Sequence, residues 1–386
     1  MVAFIHIVFM RIGIVSLWFN RGQATVSRHL RSILDQLGHQ TFILARPTPS
    51  KPGGLVKPSF IANNDVWGQE RVTHASAHDI PAEEYAAWAK NNALDVIFFD
   101  QNYQFEPIAQ LRRKGIVTIG RFVWESFAEE HAKPAAEALS VIYSLTRAEQ
   151  KRYQRMGIES PLLRWGCHPE LLAHKLSRKN QGKSFLYVGG YLSTRKPTGT
   201  TIAAFRQVAD PSTRLTIKTQ RSIEASDLVI PDTFEDLHSK KGNDLGQIHQ
   251  DPRISLQTGD FDTAAYYRFF SAFDVSLAPS RWEGLGLHLY EALAFGIPTI
   301  SCDIPPINEV IIDQYNGLLV ECRLIGHRKS GIPAYEPDQK SLQEAMETMA
   351  NQDVAGRLAL NASQSAEQHN WRHAVTAFDS LFSSIS

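Results

Sequence analysis

Cysteine is scarce in this chain, three in 386 residues, and Cys167, Cys302 and Cys322 stand far apart. That spacing supports neither a disulfide framework nor a zinc-ligand set, and it fits a reducing compartment. An excess of one charge is also missing. With 40 basic and 40 acidic residues the formal net charge is zero, so the broad basic face of a nucleic-acid-binding protein is not expected. No apolar run approaches the roughly 20 residues that span a bilayer. Residues 1–9 are apolar, yet they lack the charged start and small-residue cleavage site of a secretory leader. Met10-Arg-Ile-Gly-Ile-Val-Ser-Leu17 reads as a first strand, which leaves residues 1–9 as a loosely held extension. The 14 histidines show no paired spacing of the metal-binding kind. A cytoplasmic protein without a resident metal or cofactor is expected, free in solution or at the inner face of a membrane.

Apolar residues make up 43% of the chain, enough for a sizeable core, and the length suits two domains of ordinary size. Short apolar runs alternate with helical patterns from the start. Strands are expected at Arg11–Leu17, Thr41–Ala45, Asp95–Phe99, Val117–Ile119, Val141–Ser144 and Leu162–Arg164. Helices are expected at Val26–Leu37, Pro107–Lys114, Lys133–Leu139 and Ala148–Met156. Repeated strand-helix-strand units point to a parallel, doubly wound sheet. The alternation restarts at Ser184-Phe-Leu-Tyr-Val-Gly-Gly190, after a polar, basic linker at Leu176–Lys183. Strands follow at Leu215–Lys218, Ile254–Gln257, Asp274–Pro279, Thr299–Cys302 and Gly317–Val320. The helices between them are Thr200–Val208, Ala264–Ser271, Leu287–Phe295 and one starting near Ile307. Residues 46–82, Arg221–Gln250 and Arg323–Gln339 are long for simple connections and read as irregular excursions or insertions. The expected fold class is α/β, with two Rossmann-like doubly wound domains facing across a cleft.

The most informative stretch is Pro279-Ser-Arg-Trp-Glu-Gly-Leu-Gly-Leu-His-Leu-Tyr-Glu-Ala-Leu-Ala-Phe-Gly-Ile-Pro298. A buried strand ends at Pro279, a Gly-x-Gly turn follows at Gly284-Leu285-Gly286, and a helix opening at Leu287 stops at Gly296 and Pro298. A glycine turn from strand into helix leaves backbone N–H groups free at the helix start, where a phosphate can bind. Glu283 stands just before that helix and Glu291 about two turns along it. A carboxylate can accept both hydrogen bonds of a vicinal diol, as a ribose or hexose presents. The alternative is a plain strand-loop-helix unit with two solvated acids.

The stretch resembles the Glu-x7-Glu motif of the retaining glycosyltransferases of family 4 type, the group 1 glycosyltransferases, which have the GT-B fold. The resemblance covers nearly the whole chain. Tyr143-Ser-Leu-Thr-Arg-Ala-Glu149 and Arg164-Trp-Gly-Cys-His-Pro-Glu170 fall where that family closes its first domain, although Gly166-Cys167-His168 replaces its usual Gly-Val-Asp. His369-Asn-Trp-Arg372 resembles the opening of its final helix, which returns to the first domain. The implied domains are 10–175 on the acceptor side, 183–365 for the nucleotide sugar, and 366–386 as the returning helix.

Val188-Gly-Gly-Tyr-Leu-Ser-Thr-Arg-Lys-Pro197 resembles the family's Gly-Arg-Leu-x-x-x-Lys-Gly element, whose cations neutralise the donor diphosphate. Lys196 falls on the lysine, Gly190 on the arginine and Pro197 on the closing glycine; Arg195 is placed to supply part of what Gly190 lacks, or is a surface charge. The loop Trp18-Phe-Asn-Arg-Gly22 resembles the family's first-domain glycine loop, with one glycine where two are common. Val117-Thr-Ile-Gly-Arg-Phe-Val-Trp-Glu125 lacks the histidine many members carry there. Arg121, Trp124 and Glu125 stand in that region as a sugar-binding face or as ordinary strand-end packing. Glu309 lies in a segment resembling one that faces the donor. Asp260-Phe-Asp262 is formally a metal-binding pair, but its place before Ala264 makes Asp262 a helix cap.

The resemblance therefore implies transfer of a sugar, with retention, from a nucleoside-diphosphate sugar to a glycan, a lipid-linked or a small-molecule acceptor, without nucleic acid or metal. Glu283, Lys196 and Arg195 would act at the reacting centre. Glu291, Gly284, Leu285, Gly286, Leu287, Gly189, Gly22 and Glu309 would hold the donor. The alternatives are an epimerase or hydrolase of sugar nucleotides on the same fold, or a degenerate member that only binds a partner.

Overall fold

The structure, a computed structural model, describes residues 9–19, 21–47, 69–177, 179–220, 229–230, 243–244 and 251–385. The extension at 1–9 (save its last residue), the middle of the 46–82 excursion and most of Arg221–Gln250 lie outside the described residues. The chain divides into two compact units, one of Met1–Trp165 with Arg372–Ser386, the other Gly166–Trp371.

In the first unit the chain runs β1 (Arg11–Leu17), α1 (Gly22–Gln36), β2 (Gln40–Arg46), β3 (Val72–His74), α2 (Ala82–Asn91), β4 (Val96–Asp100), α3 (Phe105–Arg113), β5 (Val117–Arg121), α4 (Ala132–Ala138), β6 (Val141–Ile142) and α5 (Arg147–Arg155). The strands form one six-stranded sheet in the order β3-β2-β1-β4-β5-β6, parallel throughout. Central strands are apolar on both faces because helices cover both, which is why β4 reads as an unbroken buried run. α1 shows the matching helical pattern, with Val26, Leu30, Ile33 and Leu34 buried along one face. The order reverses between β1 and β4, so the carboxyl ends of those strands mark the switch point where doubly wound folds bind ligands.

Two elements of this unit escaped the sequence reading. β3 is a short edge strand inside the supposed excursion, and α2 follows it with Tyr85, Trp88 and Ala89 buried. In the other direction, Leu162–Arg164 is not a strand. A single bridge joins Leu162 to Ser144, and Pro161 has no N–H to continue the ladder.

The second unit contains α6 (Pro169–Leu172), β7 (Ser184–Gly190), α7 (Thr198–Arg206), β8 (Arg214–Thr219), β9 (Val229–Ile230), β10 (Asn243–Asp244), β11 (Ile254–Gln257), α8 (Thr263–Ser271), β12 (Val275–Ala278), α9 (Leu287–Phe295), β13 (Thr299–Cys302), β14 (Gly317–Val320), β15 (Cys322–His327), β16 (Pro333–Pro337), α10 (Gln339–Met349) and α11 (Gln352–Gln368). Its main sheet repeats the first topology, six strands in the order β11-β8-β7-β12-β13-β14, again parallel. Phe185, Tyr187, Ile217, Leu277 and Ile300 form its centre. The helix expected from Ile307 is one 3-10 turn, Ile307–Glu309; Val310 and Ile311 then turn into the core at 2% and 0% exposure. The supposed insertion at Arg323–Gln339 is the antiparallel hairpin β15–β16.

The last helix, α12 (Trp371–Ile385), belongs from Arg372 onward to the first unit. Its Phe378 and Phe382 rings pack on Phe98 within about 6 Å, centroid to centroid. Each buried ring of that kind contributes roughly 2–3 kcal/mol. No described helix is long and apolar enough to cross a membrane.

Candidate functional site

The site of the second unit is built by two neighbouring strands. β7 and β12 pair in parallel, so the loops that leave them emerge side by side at one edge of the sheet. The loop after β12 carries Ser280, Arg281 and Glu283 into α9. Gly286 sits there at φ 75°, and a Cβ on it would lie 2.8 Å from the Leu289 side chain. Only glycine turns the chain there without strain. The loop after β7 carries Arg195 and Lys196. Gly190 has φ 56°, a left-handed conformation that disfavours an arginine at that position.

Glu283 is 4% exposed and is the focus of the cluster. Its Oε1 accepts from Arg195 Nη1 at 2.9 Å and from the Gly284 N–H at 3.2 Å. Its Oε2 accepts from Ser280 Oγ at 3.1 Å, and Lys196 Nζ stands 3.8 Å away. Lys196 in turn donates to Ser280 Oγ at 2.8 Å. Burial alone would push the Glu283 carboxyl up, but Arg195, then Lys196, and the Gly284 amide outweigh it and hold it at about 2. Glu283 is therefore an anion at any physiological pH.

Glu291 is in the opposite condition. Burial pushes its carboxyl up to about 7, and only the Tyr266 hydroxyl, donating at 3.1 Å, works against this. One helix thus presents an ionised acid at its start and a half-protonated acid about two turns on.

Contacts of the buried Arg281 fix the loop that carries the cations. Arg281 is 0% exposed. Its Nε donates to Glu336 Oε2 at 2.5 Å, its Nη1 to the Thr194 carbonyl at 2.9 Å, and its amide to the Arg195 carbonyl at 2.9 Å. Glu336 lies on β16 and also accepts from the Thr200 hydroxyl at 2.7 Å. The hairpin thereby clamps the backbone from which Arg195 and Lys196 project.

Residues 258–368, which include this motif, match the family model described as "Glycosyl transferases group 1". Over that stretch, less than half of its length, the chain is similar to the group 1 glycosyltransferases. The lipopolysaccharide core biosynthesis mannosyltransferase LpsB of Rhizobium meliloti is 26% identical over 115 residues, 29% of this chain and 30% of that protein. The sequence matches span less than a third of the length of each curated relative. Solved structures are similar over nearly their whole length. Sucrose-phosphate synthase of Thermosynechococcus elongatus superposes with a TM-score of 0.71 at 16% identity, covering 97% of this chain and 99% of that one. Anabaena Alr3699/HepE in complex with UDP-glucose superposes with a TM-score of 0.70 at 14% identity, covering 97% and 100%. At such identities these two establish the fold, which is GT-B.

The structure brings together Glu283, Arg195, Lys196 and Gly284. Leu285 is buried and Leu287 half-buried beside Gly286, and Gly189 is the penultimate residue of β7. Glu309 is half-buried on the 3-10 turn after β13. Asp262 caps α8, accepting from the Ala265 N–H at 2.7 Å. Ser280, Arg281, His288, Tyr266 and Glu336 were not singled out from the sequence. Ser280 and Arg281 lie within the motif and could have been; Tyr266 and Glu336 are joined to it only by tertiary contact.

In the first unit Gly22 is the first residue of α1, and the next side chain, Gln23, donates to the Asp100 carbonyl at 3.1 Å. Arg121 is buried and pairs through Nε with Asp100 Oδ1 at 2.9 Å. Trp124 is buried and Glu125 half-buried in the turn after β5. Asp100, which the sequence reading passed over, ends β4 at the switch point. It is 5% exposed, and its Oδ2 has no hydrogen-bond partner among the described residues. Burial raises its carboxyl and Arg121 opposes this. An acid closing the run Val-Ile-Phe-Phe was the available signal.

Proposed function

We propose that the protein moves a sugar from a nucleoside-diphosphate sugar to an acceptor hydroxyl with retention of configuration, as a hexosyltransferase. The observation that carries this is a buried, ionised Glu283 ringed by Arg195 and Lys196 at the start of α9, with Glu291 on the same helix. The bond from the sugar C1 to the diphosphate oxygen breaks, and one from C1 to the acceptor oxygen forms. The acceptor proton leaves with the nucleoside diphosphate. Lys196, Arg195 and the first-turn amides of α9 stabilise the charge that grows on the departing diphosphate. Glu283 then gives up part of its hold on the two cations and accepts from sugar hydroxyls. Glu291 accepts from the ribose diol. The acceptor, a glycan, glycolipid or small molecule of cell-surface polysaccharide synthesis, is bound from the first unit, with Arg121, Trp124, Glu125 and Asp100 as candidates. UDP-sugars are the first donors to try, because Anabaena Alr3699/HepE is similar in fold and was solved with UDP-glucose, and the pneumococcal O-GlcNAc transferase GtfA with UDP and GlcNAc.

The test is transfer with UDP-, GDP- and ADP-sugars in EDTA, with the product anomer read by NMR. No divalent ion is needed where Lys196 and helix amides meet the diphosphate, and Asp262 is already engaged as a cap. Activity is expected to survive chelation, and the product to keep the donor's configuration. Loss on chelation, restored by manganese, would make Asp260 and Asp262 a metal site. An inverted product would end the retaining assignment.

Nucleoside affinity should follow the ionisation of Glu291. A diol donates two hydrogen bonds, so it selects the carboxylate. With the group at about 7 in the free protein, nucleoside affinity should be nearly constant above pH 8 and fall towards a level about tenfold lower as the acid protonates below pH 6. Glu291→Gln should bind about tenfold more weakly at pH 8 and lose the pH dependence. Calorimetry from pH 5.5 to 8.5 reads both, and a parent profile as flat as the variant's would remove Glu291 from the ribose.

A further inference from the structure

His288 is the second residue of α9 and is 9% exposed. Its Nε2 has no hydrogen-bond partner among the described residues. Glu283 Oε2 lies 4.0 Å from it, too far for a hydrogen bond. A buried polar nitrogen left without a partner costs free energy, and such groups gather where a ligand completes them. Here the nitrogen lies 4.0 Å from the carboxylate that Arg195 and Lys196 also approach. The residues that bear on its charge come from two other segments: Glu283 from the loop after β12, and Lys196 and Arg195 from the loop after β7. Burial first, and then the two cations among these three, keep the ring neutral in the free protein.

We infer that His288 is a further donor-contacting residue, whose Nε2–H donates to an anionic oxygen of the diphosphate. This rests on the function proposed above. A phosphate oxygen suits the position better than a sugar hydroxyl does. The helix start and both cations favour negative charge there, and a neutral N–H adds a donor without a third buried cation. Burial, together with Lys196 and Arg195, holds the imidazole at about 3. The ring is therefore neutral across the range from pH 5.5 to 8.

The experiment compares UDP, GDP and ADP with uridine, guanosine and adenosine by calorimetry, from pH 5.5 to 8, for the parent, His288→Leu, His288→Gln and Lys196→Ala. Leucine fills the volume and keeps the helix, while glutamine places an amide N–H near the position of Nε2. For whichever diphosphate the parent binds, His288→Leu should weaken it about tenfold and leave its nucleoside unchanged. His288→Gln should recover most of that loss. The parent's preference for diphosphate over nucleoside should follow the same pH course as that of His288→Leu, because a neutral imidazole donates throughout the range. Unchanged diphosphate affinity in His288→Leu, with Lys196→Ala weakened, would overturn the inference alone. Unchanged affinity in both variants, or no diphosphate binding by the parent, would overturn the proposed site and this inference with it. Weakened binding of the UDP-sugar with UDP itself unaffected would move His288 onto the sugar and reject the phosphate contact.

Discussion

Lys196→Ala should lower turnover with a nucleoside-diphosphate sugar by about 10²- to 10³-fold, the range for losing one preorganised electrostatic partner of a transition state. Lys196 is 3% exposed, its Nζ held by Ser280 at 2.8 Å and 3.8 Å from Glu283. A cation so fixed is not reorganised as the diphosphate departs. Its effect is larger in the transition state than in the ground state, because phosphate charge grows as the bond breaks. The loss should therefore fall mainly on kcat, and the affinity for a bare nucleoside should not change. The substitution also leaves Glu283 with Arg195, whose side chain is 32% exposed, as its remaining close cation among the described residues. The Glu283 carboxyl should move up from about 2. Steady-state kinetics with direct nucleoside binding would check this. A variant with parental kcat would place the diphosphate elsewhere, wholly on the α9 amides.

Glu336→Ala should destabilise the protein by about 3–5 kcal/mol, the range for breaking a buried ion pair and leaving one charge uncompensated. Arg281 is wholly buried and would lose its carboxylate partner, and the Thr200 hydroxyl would lose its acceptor. The solvent-exposed pair Lys340–Glu344, with side chains 83% and 61% exposed, should matter little by comparison. Urea unfolding of Glu336→Ala and Glu344→Ala separates the two. Because Arg281 also holds the Thr194 and Arg195 carbonyls, the folded fraction of Glu336→Ala should transfer sugar more slowly. Equal stability of the two variants would mean that the hairpin does not brace Arg281.

Much of this fold was legible in the chain. Arg11–Leu17, Ile254–Gln257, Thr299–Cys302 and Gly317–Val320 occupy as strands the residues their apolar runs mark out. Leu287–Phe295 is a helix between Gly286 and Gly296, each in a left-handed conformation. Such features are local: a period of two or of 3.6, a proline without an N–H, a glycine where φ is positive. Asp262 could be read as a cap for the same reason, since its partner lies three residues away. Where local signals are weak the sequence reading failed, as at the edge strand β3 and at the hairpin β15–β16.

What the tertiary structure alone decided is which charges meet and in what protonation state. Arg195 reaches Glu283 across 88 positions, and Glu336 reaches Arg281 across 55. Nothing in the chain pairs them until β7 and β12 lie parallel and the hairpin folds against the loop. The two acids of the motif look alike in sequence, yet Glu283 is held at about 2 and Glu291 is raised to about 7. A side chain's charge depends on how much water it has lost and which ions replaced that water. Sequence spacing specifies the acids, and only packing specifies their surroundings.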